Sequence, residues 1–545
     1  MALGTRRRPE IGAVMLAAVV AVYLLAAANL TFWSKAWEGF ATGTALAAFA
    51  AATFAIFLSV TIGLAFRFVA KPLYVFAILS AAVASYFTDA FGTLINANML
   101  ENLLATDTGE AGQFFSMGLI GHVIVFGILP SILVLWVRVR HRRFAAALRH
   151  NLLSMLVLLG VAGLLVWPHF HEVRVAMRRD FNAMMEALNP AGPVSAAINV
   201  AADRFASRNT VREPHGRDAR RGAWIAASRL PVVTVIVAGE SARAMNFSLN
   251  GYARPTNPEL AKLDVLSFRD VTSCGTETNV SLRCMFSGLT RADYSRARAD
   301  GRESLMDVLR HAGLDVAWWD NDGGSKGVAD GVAYQSYMMR NDPDLCVAGT
   351  CQDDIFLGDL DERLASVTRD TVIVLHQRGS HGPAYYLRYP DTFRPFAGDC
   401  RDYDLTDCSA AEILDAYDNT IAYTDRFLAR VVGILGKHSA RLTGSLFYIS
   451  DHGESLGEGG LYMHGTRWEA APREQTHVPL IVWTSPAYRA LSSFDDACAR
   501  VLLDRPFSQD NVYHTLLGMT DVSTSVYRRD LDIFAGCRKG TTPSG

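Results

Sequence analysis

The residues able to do chemistry in this chain gather where apolar runs end. Pro231–Ala238 leads through Gly239 into Glu240, and Thr371–Leu375 leads into His376, with Ser380-His381-Gly382 just beyond. Ser445–Ile449 leads through Ser450 into Asp451-His452-Gly453. Carboxylate and imidazole together are the oxygen–nitrogen ligand mix that suits zinc. His464, twelve residues past His452, can join them from a loop. Taken singly, each is equally well a capping or loop polar residue. Three strand ends carrying them together favour a metal centre.

A metal centre needs a group to activate. The segment Ser273-Cys274-Gly275-Thr276-Glu277-Thr278-Asn279-Val280-Ser281 reads as a loop turning into a helix over 278–287. Thr278 then stands at or near a helix N-terminus, where free amides and the helix dipole favour an oxyanion. Zinc lowers the pKa of a coordinated hydroxyl and makes an alkoxide nucleophile available at neutral pH. The blander reading is an ordinary threonine N-cap. A competing nucleophile is Ser455 in Gly453-Glu454-Ser455-Leu456-Gly457, which fits the G-x-S-x-G elbow after a strand. The adjoining Asp451-His452 is better explained by metal.

Positioning these groups requires an α/β frame. The strand candidates are Pro231–Ala238, Asp315–Trp319, Thr371–Leu375, Ser445–Ile449 and Pro479–Trp483, with helical patterns between them, for example at 303–312 and 409–436. That alternation predicts a mostly parallel sheet flanked by helices. Functional groups in such sheets collect beyond the carboxyl ends of strands.

The first third of the chain has a different character. Apolar runs of about 20 residues, the length that spans a bilayer, occupy roughly 11–31, 42–65, 72–90, 117–137 and 151–167, the last being the shortest. Arg6–Arg8, Arg67, Lys71 and the five arginines between Arg138 and Arg149 alternate with links nearly free of Lys and Arg. The alternation places the N-terminus inside. Five spans then deliver everything after Pro168 to the outside. The expected division is a transmembrane bundle over 1–167, a connector over 168–228 with a helix near 171–188, and a catalytic domain over 229–545. Net charge is −2, with no basic stripe interleaved with aromatics, so nucleic acid is not an expected partner.

All eight cysteines lie in the second part. Cys274/Cys284, Cys346/Cys351 and Cys400/Cys408 form close pairs, 10, 5 and 8 residues apart, and Cys498 and Cys537 remain. Close pairs suit disulfides in an oxidising compartment, and there is no CxxC of a thiolate zinc site. The pairing of Cys498 with Cys537 is left open.

At this point the chain resembles the membrane-bound phosphoethanolamine transferases of the lipid A type, a group that includes mobilised colistin-resistance enzymes and belongs to the alkaline-phosphatase and sulfatase superfamily. The carriers are AGESARAMNFSLNGY (238–252), TSCGTETNVSLRCMFSG (272–288), DNDGGSKG (320–327), GSHGPAYYLRYP (379–390) and SDHGESLGE (450–458), with Met463-His464-Gly465 and EQTHVPLIVW (474–483). The resemblance implies an alkaline-phosphatase-like domain on about five transmembrane helices. It implies zinc on Glu240, Thr278, Asp451 and His452, with Thr278 also the nucleophile that becomes phosphoethanolamine-modified. His381 and His464 match residues that bind the substrate phosphate or a second zinc, and Lys326 matches a phosphate-contacting lysine. Four residues earlier the family has asparagine where this chain has Asp322. Asn102, Thr106 and Glu110, spaced i, i+4, i+8 on one helix face, match the family's pattern for the donor lipid.

The implied donor is phosphatidylethanolamine and the implied acceptor is lipid A, with a lipopolysaccharide core sugar or a periplasmic glucan as alternatives. The implied setting is the bacterial inner membrane with the catalytic domain in the periplasm, acting as a monomer. A non-enzymatic membrane sensor with a degenerate phosphatase fold is the contrasting possibility, and such a protein is expected to have lost the nucleophile or a ligand.

Overall fold

A computed structural model of the protein describes residues 8–97, 99–100, 116–207, 212–338, 340, 342–347 and 349–538. The chain forms two compact units that divide at Ala201 and Ala202.

The first unit is helical. It comprises α1 (Ala13–Ala27), α2 (Leu30–Gly39), α3 (Gly43–Gly63), α4 (Ala70–Phe91), α5 (Met117–Trp136), α6 (Phe144–Val166), α7 (Phe170–Glu186) and the part of α8 (Ala191–Ser207) up to Ala201. Among the described residues, four helices are long and apolar enough to cross a membrane, and the bent pair α1–α2 makes up to five. The 21 residues of α3 cover about 31 Å, close to the hydrocarbon thickness of a bilayer.

Two spans differ from the expected runs. The first does not continue to residue 31; α1 ends at Ala27, and α2 leaves it at 70°. Asn29 makes the bend. Its Nδ2 donates to Leu24 O and Asn189 O, both at 2.8 Å, and its Oδ1 accepts from Asn189 N at 2.7 Å. Leu24 O, which also accepts from Ala28 N at 3.2 Å, is thereby tied to the segment that turns away. The last span starts at Phe144 rather than 151, so it is a long helix rather than the shortest one. Arg149 is accommodated within it because a long basic side chain can carry its charge away from an apolar stem.

The basic links come together. Glu10–Gly12 pairs in parallel with Arg138–Arg140, and Lys71 Nζ donates to Leu135 O at 2.8 Å and Val137 O at 2.6 Å. The strand Glu10–Gly12, Lys71 and the basic segment between α5 and α6 thus share one face, in keeping with the charge alternation. The segment expected as a connector opens with α7, whose Val173 and Met184 pack against Phe32, Ala36 and Phe49.

The second unit is built on a seven-stranded sheet. Its strands are β1 (Val232–Gly239), β2 (Leu266–Phe268), β3 (Asp315–Asp320), β4 (Ala333–Ser336), β5 (Thr371–His376), β6 (Thr443–Ser450) and β7 (Leu480–Thr484), in the order β2-β7-β6-β1-β5-β3-β4. β6, β1, β5, β3 and β4 run parallel, and β7 is antiparallel to both of its neighbours. Every residue of β1, β5 and β6 is buried, which is why these segments read as continuous apolar runs rather than alternating ones. The two strands not anticipated, β2 and β4, are short edge strands with little pattern to detect. Helices α9 (Thr278–Ser287), α10 (Leu305–His311), α11 (Leu357–Ala365) and α12 (Ala410–Lys437) flank the sheet. α12 starts from a capping box between Ser409 and Glu412. The register aligns Gly239 with Ser450 and Ala238 with His376. The three adjacent strands β6, β1 and β5 therefore release Asp451, Glu240 and the 376–381 loop at one edge.

Candidate active site

Glu240, Asp451 and His452 are fully buried at that edge, and Thr278 is 6 % exposed. Thr278 is the first residue of α9, after Glu277 in extended conformation. Its Oγ1 donates to Glu240 Oε2 at 2.9 Å and lies 3.5 Å from His452 Nε2. His452 Nε2 stands 3.3 Å from Glu240 Oε1 and 3.3 Å from Asp451 Oδ2. Ligands about 2.0–2.1 Å from a tetrahedral zinc ion stand about 3.3 Å apart, so these separations fit one ion held by two carboxylates, an imidazole and a hydroxyl. Two further observations agree. Asp451 Oδ2 is buried without a hydrogen-bond partner. His452 Nδ1 faces Gly453 O at 2.9 Å, so it carries the proton and leaves the Nε2 lone pair toward the centre.

The electrostatics point the same way. Burial, then the neighbouring Asp451, push Glu240 up to about 7, and burial pushes Asp451 up to about 6. Burial pushes His452 down to about 4. Two carboxylates that resist ionisation side by side call for a cation, and a neutral imidazole is the form that ligates one.

The surrounding loops are tied tightly. Asp451 Oδ1 accepts from His452 N at 2.7 Å and Ser241 N at 3.2 Å. Ser380 N donates to Glu240 O at 2.9 Å, and a Cβ on Gly379, whose φ is +50°, would meet that same oxygen at 2.6 Å. Only glycine lets the two loops approach so closely. The Cys274–Cys284 disulfide staples the loop before Thr278 to the second turn of α9. Cys346–Cys351, Cys400–Cys408 and Cys498–Cys537 are also bonded.

His464 joins the cluster, its ring centroid 4.4 Å from that of His452 and 5.3 Å from that of His381. Burial opposes a charge on His464, but Glu454, 3.3 Å from its Nδ1, outweighs burial and raises it to about 10. Lys326 adopts a left-handed φ of +50° on the loop after β3, with Nζ donating to Gly323 O at 2.6 Å. Asp322, on the same loop, is held ionised down to about 2; burial opposes this and Arg378, then His381, prevail. Asn102, Thr106 and Glu110 lie outside the described residues.

Ser455 is no exposed elbow. It is fully buried in a two-stranded hairpin, and its Oγ accepts from Gln475 Nε2 at 3.0 Å. Three contributors escaped the sequence reading. Gln509 links the Asp451 and Thr278 loops, donating to Asp451 O at 2.6 Å and accepting from Cys274 N at 2.6 Å. It stands in no motif. Glu454 and Asp320 both sit inside motifs already singled out, and adjacency alone could have found them. Asp320 holds His376 Nδ1 at 2.9 Å.

Residues 51–205 match the family model described as phosphoethanolamine transferase EptA/EptB, and residues 233–522 match the sulfatase model. The chain is 36 % identical to phosphoethanolamine transferase EptA of Escherichia coli K12 over 481 residues, covering 87 % of each chain. The chain belongs to the phosphoethanolamine transferase family. It is also 34 % identical to the phosphatidylethanolamine transferase Mcr-1 of Escherichia coli, covering 95 % of this chain and 96 % of that one. The solved integral membrane lipooligosaccharide phosphoethanolamine transferase A of Neisseria meningitidis superposes with a TM-score of 0.92 at 31 % identity, covering 97 % of this chain and all of that one. This transferase therefore combines a transmembrane helical unit with an alkaline-phosphatase-like domain, and its catalytic edge holds residues able to bind a metal ion.

Proposed function

We propose that this transferase moves phosphoethanolamine from phosphatidylethanolamine to a phosphate of lipid A by double displacement, with Thr278 as the nucleophile. The observation that carries the reading is the convergence of Thr278 Oγ1 with Glu240 and His452 at the N-terminus of α9. Zinc, held by Glu240, Thr278, Asp451 and His452, would lower the pKa of the threonine hydroxyl and offset charge on the phosphoryl group.

The chain's own groups do the rest. Glu240 Oε2 already accepts the Thr278 hydroxyl proton in a hydrogen bond, which aims the oxygen lone pairs away from Glu240. Thr278 Oγ1 gives its proton to Glu240 Oε2 and attacks phosphorus, the bond to the diacylglycerol oxygen breaks, that oxygen takes up a proton from solvent, and phosphoethanolamine remains on Thr278. An acceptor phosphate oxygen then attacks the same phosphorus and returns the threonine. The first amides of α9 face the developing oxyanion. Protonated His464 and Lys326 supply positive charge to the phosphoryl oxygens, and His381 supplies a hydrogen-bonding ring nitrogen. Asn102, Thr106 and Glu110 are proposed to meet the donor's ammonium group on one helix face.

The acceptor assignment is supported by the Neisseria relative, named for lipooligosaccharide. Four disulfides and the clustered basic links support an inner-membrane protein with its catalytic unit in the periplasm. A monomer holds all the proposed groups.

The test is mass spectrometry of lipid A from cells expressing the parent or Thr278→Ala. A phosphoethanolamine addition is expected with the parent and none with the variant, a loss of about 10⁴-fold or more. An addition that persists in Thr278→Ala removes the nucleophile assignment, and modified core sugars with unmodified lipid A move the acceptor.

A further inference from the structure

Asp322 places a carboxylate on the loop after β3. It is 4 % exposed, and its carboxylate offers an oxygen within 4.8 Å of ligand atoms of Glu240 and His376. A second buried carboxylate beside Glu240 raises two problems. It costs solvation, and it repels the phosphodiester anion that must approach Thr278.

Arg378 answers both. It follows β5 on the loop that leads to His381, and it is 2 % exposed. Its Nε stands 3.6 Å from Asp322 Oδ1 and donates to Asn321 O at 3.1 Å. Its backbone is pinned as well, for Arg378 N and Gly379 N donate to the two oxygens of Asp353 at 2.8 and 2.9 Å. On the other side, Asp320 Oδ1 accepts from Asp322 N and Gly324 N, both at 3.0 Å. Its Oδ2 holds His376 Nδ1 at 2.9 Å and accepts from Trp318 Nε1 at 3.0 Å. The loops after β3 and β5 are therefore locked together, with the carboxylate and the guanidinium facing each other. An arginine keeps its charge at any working pH, so committing one to a dry interior is consistent with a fixed anion beside it.

We propose that Asp322 and Arg378 form a charge-compensated positioning pair, in which Arg378 cancels the Asp322 carboxylate so that Lys326, His381 and His464 act on the phosphoryl group undiminished. Both are positioning residues. The pair also accounts for the convergence of Glu240, Asp322 and His376, because Arg378 and Lys326 supply from side chains the positive charge that a further ion would bring. The inference rests on the Thr278 site proposed above.

The test is a double-mutant cycle on the full chain in detergent: parent, Asp322→Asn, Arg378→Met and the double variant, with Arg378→Lys as the charge-conserving change. The readout is diacylglycerol release from phosphatidylethanolamine, a step independent of the acceptor, with kcat and KM separated and thermal melting recorded alongside. Arg378→Met is expected to lower kcat/KM about a hundredfold, chiefly through KM, and Asp322→Asn about tenfold. The double variant is expected to recover to within about tenfold of the parent, about a hundredfold better than the product of the singles and in the range seen for contacting residues. Arg378→Lys should lose less than about tenfold. A double variant as impaired as the product of the two singles overturns the pair. So does a set of variants that melt lower yet keep the parental KM, which would mark a merely structural contact. Thr278→Ala, run in parallel, separates the two readings: diacylglycerol release at the parental rate would fail the Thr278 site itself, whatever the cycle returns.

Discussion

The two units use the same apolar residues in opposite ways. In α6, Leu156 and Leu164 are 68 % and 75 % exposed, whereas the buried positions are Ala147, Asn151 and Ala162. In the catalytic unit, Ile236, Val374 and Phe447 are fully buried, and polar groups gather at the carboxyl edge of the sheet. Lipid is as apolar as leucine, so spanning helices gain nothing by hiding large side chains from it and meet through small residues. Water drives the second unit's apolar residues inward, and the strands they fix hold Glu240, Asp451 and His452 in register. Polar contacts follow the same division. Tyr74 OH donates to Thr61 O at 2.6 Å between spans, and Asp451 sits inside a network reaching Ser241, His452 and Gln509.

The contrast can be broken or sharpened by experiment. The largest effect should come from the polar edge. His452→Ala should lower turnover about a hundredfold to a thousandfold and abolish stoichiometric zinc, measured by turnover and elemental analysis of the purified chain. Chelation should do the same to the parent, and added zinc should restore only the parent. A His452→Ala protein that keeps both metal and rate would displace the centre from this edge.

Next in size is the water-driven core. Phe447→Ala should cost about 3–5 kcal/mol, read as a lowered melting transition of the full chain.

A smaller effect concerns pH. Burial raises Asp425 to about 7, although Glu259 N and Leu260 N donate to it at 2.8 and 3.0 Å. Between about pH 4 and 7 the unfolded chain releases this proton and the folded chain keeps it, so stability falls as pH rises through that window. Asp425→Asn should remove this slope and raise stability at pH 7.5 by about 1–2 kcal/mol. Melting curves from pH 4 to 8 that stay parallel to the parent would contradict the shift.

The smallest effect belongs to the lipid-facing surface. Leu156→Ala should change stability by less than about 0.5 kcal/mol. A loss like that of Phe447→Ala would show that α6 is packed by something beyond lipid.

Much of the catalytic frame was legible because burial on both faces makes a strand conspicuous. The expected strands at Thr371–Leu375 and Ser445–Ile449 lie inside β5 and β6, and the helix expected over 278–287 is α9. The edge strands β2 and β4 were not legible, since three or four residues carry no periodicity. In the membrane unit, length and hydropathy located the spans but missed the bend at Asn29. That bend depends on Asn189, 160 residues away. The candidate ligands were legible as residue types at strand ends. Their supports, Gln509 and Arg378, were not, because each acts through partners distant in sequence.

By itself, the sequence determined the two solvents the chain meets, the strands that emerge at the site edge and the residue types of the candidate ligands Glu240, Thr278, Asp451 and His452. Those follow from local composition and from residue type, which need no partner. Tertiary structure alone decided the strand order that puts β6, β1 and β5 side by side. It also decided the 2.9–3.5 Å separations at Thr278 and the pairing of Asp322 with Arg378. Distances between groups far apart in the chain are set by packing, and packing is a property of the whole fold.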